Sequence, residues 1–199
     1  MRDKQLIISV GREFGSAGHV IAEKLAEHFE LPLYNEDFLK KVLGDKGICN
    51  NEIHKYDEGH KRFGVYRSVR GMDSAPETII ANMQFDYMKK KAESGECFVI
   101  VGRCSETVLK EYPALVSIFV LGDKEEKIKR IATKHNLSLD EAEKLRCEKD
   151  KQRKKYHNHY CEGKWGDSRN YDISINSSKL GIDETTRILI DYIESRERV

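Results

Sequence analysis

Near the start of the chain, Gly11-Arg12-Glu13-Phe14-Gly15-Ser16-Ala17-Gly18-His19 stands between a β-branched apolar run, residues 6–10, and a stretch of helical apolar spacing. Glycines there let the backbone curl until several N–H groups face one anion, and the helix that follows adds its positive end. The chemistry on offer is phosphate binding. The general phosphate-loop pattern is G-x-x-x-x-G-K-[ST]. Aligned on Gly18, this chain puts Glu13 at the opening glycine, His19 at the lysine and Val20 at the hydroxyl. Imidazole is mostly neutral at pH 7 and a weaker partner than lysine for β- and γ-phosphates. Val20 has no oxygen for magnesium, which leaves Ser16 or water, and Arg12 stands beside the loop to supply the charge His19 lacks.

A second group of cations sits farther along. Arg103 follows the apolar run 97–101 and Gly102, at the carboxyl end of an expected strand, where open α/β sheets bind ligands. Its planar fork matches a pair of phosphate oxygens; the alternative is an arginine salt-bridged at the sheet rim. Arg146, Lys149 and Arg153 recur at spacings of three and four and so share one helix face, although Glu148 and Asp150 nearby also suit a solvated charged face. Arg67 and Arg70 lie within reach of the same chemistry. His157-x-His159-x-Cys161 has a metal-like look, but a structural zinc site needs four ligands with a distant second pair, and no pair has that spacing. No metal site is expected there; Tyr156, Tyr160 and Trp165 point to aromatic packing. Nothing supports nucleophilic chemistry at Cys104.

The elements that must position these residues alternate strand and helix, the pattern of a parallel sheet covered by helices. Strands are expected at 6–10, 31–34, 97–101, 116–121 and 172–175. Helices are expected from the glycine turn through Val20, Ile21, Leu25 and Phe29, then over 36–42, 76–93 (capped by Asp73 or Ser74, with Ile79, Ile80, Met83 and Tyr87 on one face), 124–135, 138–157 and 183–194. Ser138 and Glu141 form a capping-box pattern. The length suits one domain, 1–199, with an irregular insertion over about 45–75 and a lid over about 138–170.

Composition limits the partners. With 35 basic and 34 acidic residues the net charge is +1, which argues against a nucleic-acid coat. No apolar run approaches the roughly 18 residues that span a bilayer, and the start of the chain lacks a signal peptide's cleavage site. Five cysteines with no CxxC spacing are expected as reduced thiols of a cytoplasmic protein, Cys97 and Cys104 serving as small buried hydrophobes.

GREFGSAGHVIAEKLAEHF, LYNEDFL, CFVIVGRCSETVL and WGDSRNYDISINSSKLGI, in this order, resemble the cytidylate kinase-like family, over essentially the whole chain apart from 45–75. The resemblance implies a three-layer P-loop NTPase-type parallel sheet flanked by helices, with a helical lid. It implies ATP and magnesium as cofactors, and ATP-dependent phosphoryl transfer to a nucleoside monophosphate, CMP or dCMP first. Gly15, Ser16, Ala17, Gly18 and His19 match the donor-phosphate loop. Asn35, Glu36 and Asp37 match the turn that presents an acid to the acceptor or to magnesium. Arg103 matches the acceptor-phosphate arginine, Arg146, Lys149 and Arg153 the lid, and Asn176, Ser177 and Ser178 the loop at the donor base. The lost lysine and hydroxyl leave two alternatives, a kinase of another small molecule and a non-catalytic nucleotide-binding regulatory module.

Overall fold

The computed structural model describes residues 4–35 and 76–198. The expected helix at 36–42, the insertion at 45–75, and Glu36, Asp37, Arg67, Arg70 and the cap at Asp73 or Ser74 lie outside the described residues.

Apolar runs with β-branched residues become strands buried on both faces. β1 is Ile7–Arg12, β2 Leu33–Tyr34, β3 Phe98–Val101, β4 Leu115–Leu121 and β5 Ile173–Asn176. They form one sheet in the order β2-β3-β1-β4-β5, and every pairing is parallel. β1 is central, with Val10 opposite Val101 on one side and Arg12 opposite Val120 on the other. The chain therefore leaves β1 toward both flanks of the sheet, and a crevice opens beyond its carboxyl end, between Gly11-Arg12, Gly102 and Gly122.

The helices are α1 (Gly18–His28), α2 (Pro76–Glu93), the short α3 (Ser105–Val108), α4 (Lys124–His135), α5 (Leu139–Tyr160) and α6 (Ser177–Glu197). Successive β1 side chains point to opposite faces. Leu6, Ile8 and Val10 meet Ile21 and Leu25 of α1 and Leu189 and Ile193 of α6. Ile7 turns the other way, onto Phe98, Ile100, Met88 and Leu109. Truncating Leu25, which is fully buried, to alanine would cost about 2–5 kcal/mol.

Five elements shift in phase or length from expectation. Val20 is 37% exposed and Ile79 49%, because the buried face of α1 runs through Ile21, Ala22 and Leu25 and that of α2 through Ile80, Gln84 and Met88. The last helix begins at Ser177, directly after β5, and kinks at Gly181, where φ is 78°. The second strand is confined to Leu33–Tyr34, and α5 runs on to Tyr160. Ser138 caps α5 through the expected reciprocal box with Glu141. Of the aromatics expected to pack at the base of the lid, Tyr156 and Tyr160 meet at 4.8 Å, and Trp165 lies 5.6 Å from Phe119.

Candidate active site

The glycine-rich turn leaves β1 at the crevice and enters α1 at Gly18. Gly15 (φ 84°) and Ala17 (φ 63°) are both left-handed and flank Ser16, the alternation that turns successive amides toward one point. Among the described residues, no protein group accepts from the amides of Gly15, Ala17, Gly18 or His19. Gly15 is required twice over. Its φ favours glycine, and a Cβ there would meet Ile131 Cδ1 at 2.8 Å and the Lys127 carbonyl at 2.9 Å.

Buried polar contacts hold the turn from below. Ser177, fully buried, donates to the Ser16 carbonyl at 2.6 Å and to the Leu121 carbonyl at 3.3 Å. Arg130 donates to the Gly15 carbonyl. Glu13, at the position of the missing glycine, turns its carboxylate away from the nest. It accepts from the Gly122 amide at 3.1 Å and from Lys127 Nζ at 2.7 Å, with the Lys127 side chain only 6% exposed. The acid that seems hostile to phosphate is thus neutralised and used as a brace.

A cavity of about 280 Å³ lies beside the loop, between the strand ends and α5. Arg12, Arg103, Lys149 and Arg153 line it, with Phe14, Tyr156, Trp165 and Tyr171 as its aromatic walls. Arg12 crosses from the end of β1 to that of β3, and a Cβ on Gly102 would lie 1.9 Å from its Nη1. Only glycine leaves room for that approach. Gly102, Arg103 and Cys104 have φ of 71°, 61° and 58°, three left-handed residues in succession. Two of them carry side chains, at a cost of about 1–3 kcal/mol each, a kind of strain that clusters at functional sites. The turn sets the Arg103 guanidinium 5.4 Å from the Tyr156 ring centroid, over the cavity.

α5 closes the cavity. Arg153 donates to the Arg12 carbonyl at 3.1 Å and lies 5.4 Å from the Phe14 ring centroid. Asp150 accepts from the Phe14 amide at 2.7 Å, and burial raises its carboxyl above the usual range. Arg146 does not line the cavity. It grips Glu143 at 2.7 and 3.1 Å and Asp150 at 3.3 Å, and with Lys124 it holds Glu143 down at about 2. At the wall of the cavity, His157 Nε2 lies 2.7 Å from a Glu106 carboxylate oxygen. Burial opposes the charging of His157, but the neighbouring Cys161 sulfur and Glu106 carboxylate push it up to about 10. The Cys104 and Cys161 thiols, both free and buried, influence each other, so that Cys104 is raised and Cys161 lowered from the usual thiol range.

The sequence-derived residues fall into three sets. Arg12, Arg103, Lys149 and Arg153 meet at the cavity, next to Gly15, Ser16, Ala17 and Gly18. His19 turns along α1 to Glu23, 3.4 Å away, rather than back over the loop. Ser16 is fully buried and its hydroxyl donates to the Glu13 carbonyl at 2.9 Å, so what it offers the nest is backbone. Asn176 caps α6 by accepting from the Ser178 amide and donates to Asp123, and Ser177 is buried beneath the loop, against the Ser16 carbonyl. Asn35 follows β2, and Asp37 lies outside the described residues. Sequence reasoning passed over Lys127, Arg130 and Glu106 and read Asp150 as part of a solvated face; Lys127, Arg130 and Asp150 sit in charged helical stretches, and Glu106 in a short helix, with no local signal to mark them.

Free amides on a braced turn fit the phosphates of ATP. For magnesium, the fit depends on oxygens other than the engaged Ser16 hydroxyl. A parallel sheet in this strand order, with an amide nest after its central strand and a helix folded over the cavity, defines a phosphotransferase of the phosphate-loop kinase fold. The chain belongs to the cytidylate kinase-like family, a model of which matches residues 7–179. A cytidylate kinase of Pyrobaculum calidifontis is 24% identical over 189 residues, 94% of this chain and 92% of its own length. The solved structure of an uncharacterized protein from Eubacterium ventriosum superposes with a TM-score of 0.77 at 41% identity, covering 96% of this chain and 99% of that one. A gluconokinase from Sinorhizobium meliloti shares the fold, with a TM-score of 0.59 at 14% identity over 98% of this chain and 94% of its own. Among the described residues, no helix is long and apolar enough to cross a membrane.

Proposed function

We propose that the protein transfers the γ-phosphoryl group of ATP to a nucleoside monophosphate, with CMP or dCMP as the first acceptor. The observation that carries this reading is the convergence of Arg12 and Arg103 on one cavity beside the unpaired loop amides. Phosphoryl transfer is catalysed mainly by positioning and by neutralising charge on the transferred oxygens, and this arrangement supplies both. The amides of Gly15, Ala17, Gly18 and His19 hold the donor phosphates. Arg12 takes over the cationic role that His19, engaged with Glu23, does not fill. Arg103 grips the acceptor phosphate, and Lys149 and Arg153 cover the group in transit. An acceptor phosphate oxygen is already ionised, so no general base is needed. When bound, magnesium would offset the charge on the donor oxygens, held by oxygens other than the Ser16 hydroxyl, which is engaged with the Glu13 carbonyl. The cavity lies at the lower end of the roughly 300–1,000 Å³ usual for ligand pockets, which suits one small ligand under a closed lid. Cytidine as the base rests on the family and on the name of the Pyrobaculum relative.

A coupled ADP-release screen over the common nucleoside monophosphates, with ATP and magnesium, tests the reading. Turnover with a cytidine monophosphate, lost in Arg103→Ala, is the expected result. Turnover only with a non-nucleotide acceptor would move the assignment to another small-molecule kinase.

A second reading, a nucleotide-binding regulatory module without turnover, is favoured by one contact: Asp150 already occupies the Phe14 amide. Calorimetric ATP binding with no phosphorylated product from any acceptor would support it.

A further inference from the structure

Where α3 meets the last turn of α5, three ligand-type side chains converge at the wall of the cavity. Glu106 belongs to α3, His157 to α5, and Cys161 ends α5. One ligand atom from each lies within 4.8 Å of the other two. His157 and Cys161 are four residues apart and so share a face of the helix end. The Glu106 and His157 side chains are 3% and 6% exposed, and His157 Nδ1 is buried without a hydrogen-bond partner. Nε2 is the ring nitrogen that faces Glu106, at 2.7 Å, so it is the atom that a cation shared with the carboxylate would take, in a setting almost closed to water.

We propose that Glu106, His157 and Cys161 bind a single zinc-type divalent cation. A tetrahedral zinc site sets nitrogen, oxygen and sulfur ligands roughly 3.3–3.6 Å from one another, a small adjustment of the present spacing. One thiolate, one imidazole and one carboxylate make a borderline-soft set that selects zinc over magnesium or calcium. The site is therefore distinct from any magnesium that accompanies a nucleotide. Cys104, a second buried free thiol, stands outside the set of three, in the place of an outer partner. Cys104, Glu106 and His157 all line the cavity, which gives the cation a way in and leaves the fourth position to water. The cation would tie the end of the lid helix to the turn that carries Arg103.

The full-length protein, reduced and freed of metal with a chelator, is titrated first with Co²⁺ and then with Zn²⁺. The expected result is one equivalent of Co²⁺ bound in a four-coordinate spectrum with a thiolate charge-transfer band, displaced by one equivalent of Zn²⁺ and untouched by excess Mg²⁺. Cys161→Ser removes the band and weakens zinc more than about 100-fold, beyond the 10–100-fold cost of losing an outer partner. Cys104→Ala keeps the band. Cys147→Ser, at an exposed thiol on α5, changes neither reading. His157→Gln supplies the same affinity test should Cys161→Ser fail to fold, with circular dichroism reporting on both. Absence of the band, its survival in Cys161→Ser, or oxidation of Cys104 and Cys161 to a disulfide at a rate zinc does not slow would overturn the proposal.

Discussion

The Asp150 carboxylate accepts a 2.7 Å hydrogen bond from the Phe14 amide, so the lid helix lays an anion against the loop suited to hold one. In this conformation the lid is a competitor of the donor phosphates. Asp150→Asn keeps an acceptor for Phe14 but removes the like charge. The KM for ATP should fall about fivefold, equivalent to about 1 kcal/mol. An unchanged or higher KM in steady-state kinetics would mean that Asp150 does not compete.

The same substitution has a pH signature. Burial raises the Asp150 carboxyl in the fold, so protonation favours the folded state. That stabilisation is complete below the ordinary value of 3.8 and is lost as pH rises through the raised folded value. At pH 7 the ionised group works against folding, and Asp150→Asn should raise Tm. The gain should shrink toward pH 4 in thermal scans of the two proteins side by side; a gain independent of pH would contradict the argument.

Lys127 and Glu13 form a pair that holds the loop open. Lys127→Met leaves the Glu13 carboxylate, 27% exposed, with the Gly122 amide as its remaining partner here, and should cost about 1–3 kcal/mol, less than breaking a fully buried pair. Adding Glu13→Gln should recover much of it. Urea denaturation of the two single variants and the double variant measures the coupling, and additive losses would show that the pair acts as two separate groups.

Ser177→Ala deletes the donor to the Ser16 and Leu121 carbonyls. Leaving buried carbonyls unpaired costs about 1–3 kcal/mol, at about 2–4 °C of Tm per kcal/mol for a chain of this size. Nucleotide affinity should fall with it, because Ser177 braces the nest. A lower Tm with unchanged affinity would separate the brace from the binding site.

Arg103→Ala should lower kcat/KM for the acceptor about 100-fold, the scale of a charge-assisted contact of about 3 kcal/mol, while ATP binding is unchanged. Arg103→Lys should recover little, since a point charge does not reproduce the fork. Equal loss of affinity for ATP would move Arg103 to the donor side.

Strands β1, β3 and β4 were legible because buried parallel strands write themselves as continuous β-branched runs. The loop was legible because glycines at a strand–helix junction have few other uses. Helix phase was harder: Val20 and Ile79 fit the period, yet each faces solvent, since the sequence period does not say which neighbouring stripe the sheet covers. The turn of helix at Ser177 was not expected, but the break in helical geometry at Gly181 (φ 78°) agrees with a closing helix expected from 183. The roles of Lys127, Asp150 and Ser177 come from contacts between distant parts of the chain, and of His157 and Glu106 likewise, so a local pattern carries no trace of them. His157-x-His159-x-Cys161 shows the limit most clearly: the carboxylate nearest His157 comes from α3, which no spacing rule would pair with it.

The central claim, that backbone amides from Gly15 to His19 hold the donor phosphates without the usual lysine, is tested most directly by titrating the isotopically labelled protein with ADP and following its amide resonances. The account predicts that Gly15, Ala17, Gly18 and His19 shift together along one saturation curve, with Phe14 following as Asp150 lets go. Saturable ADP binding that leaves those four amides unmoved would contradict it.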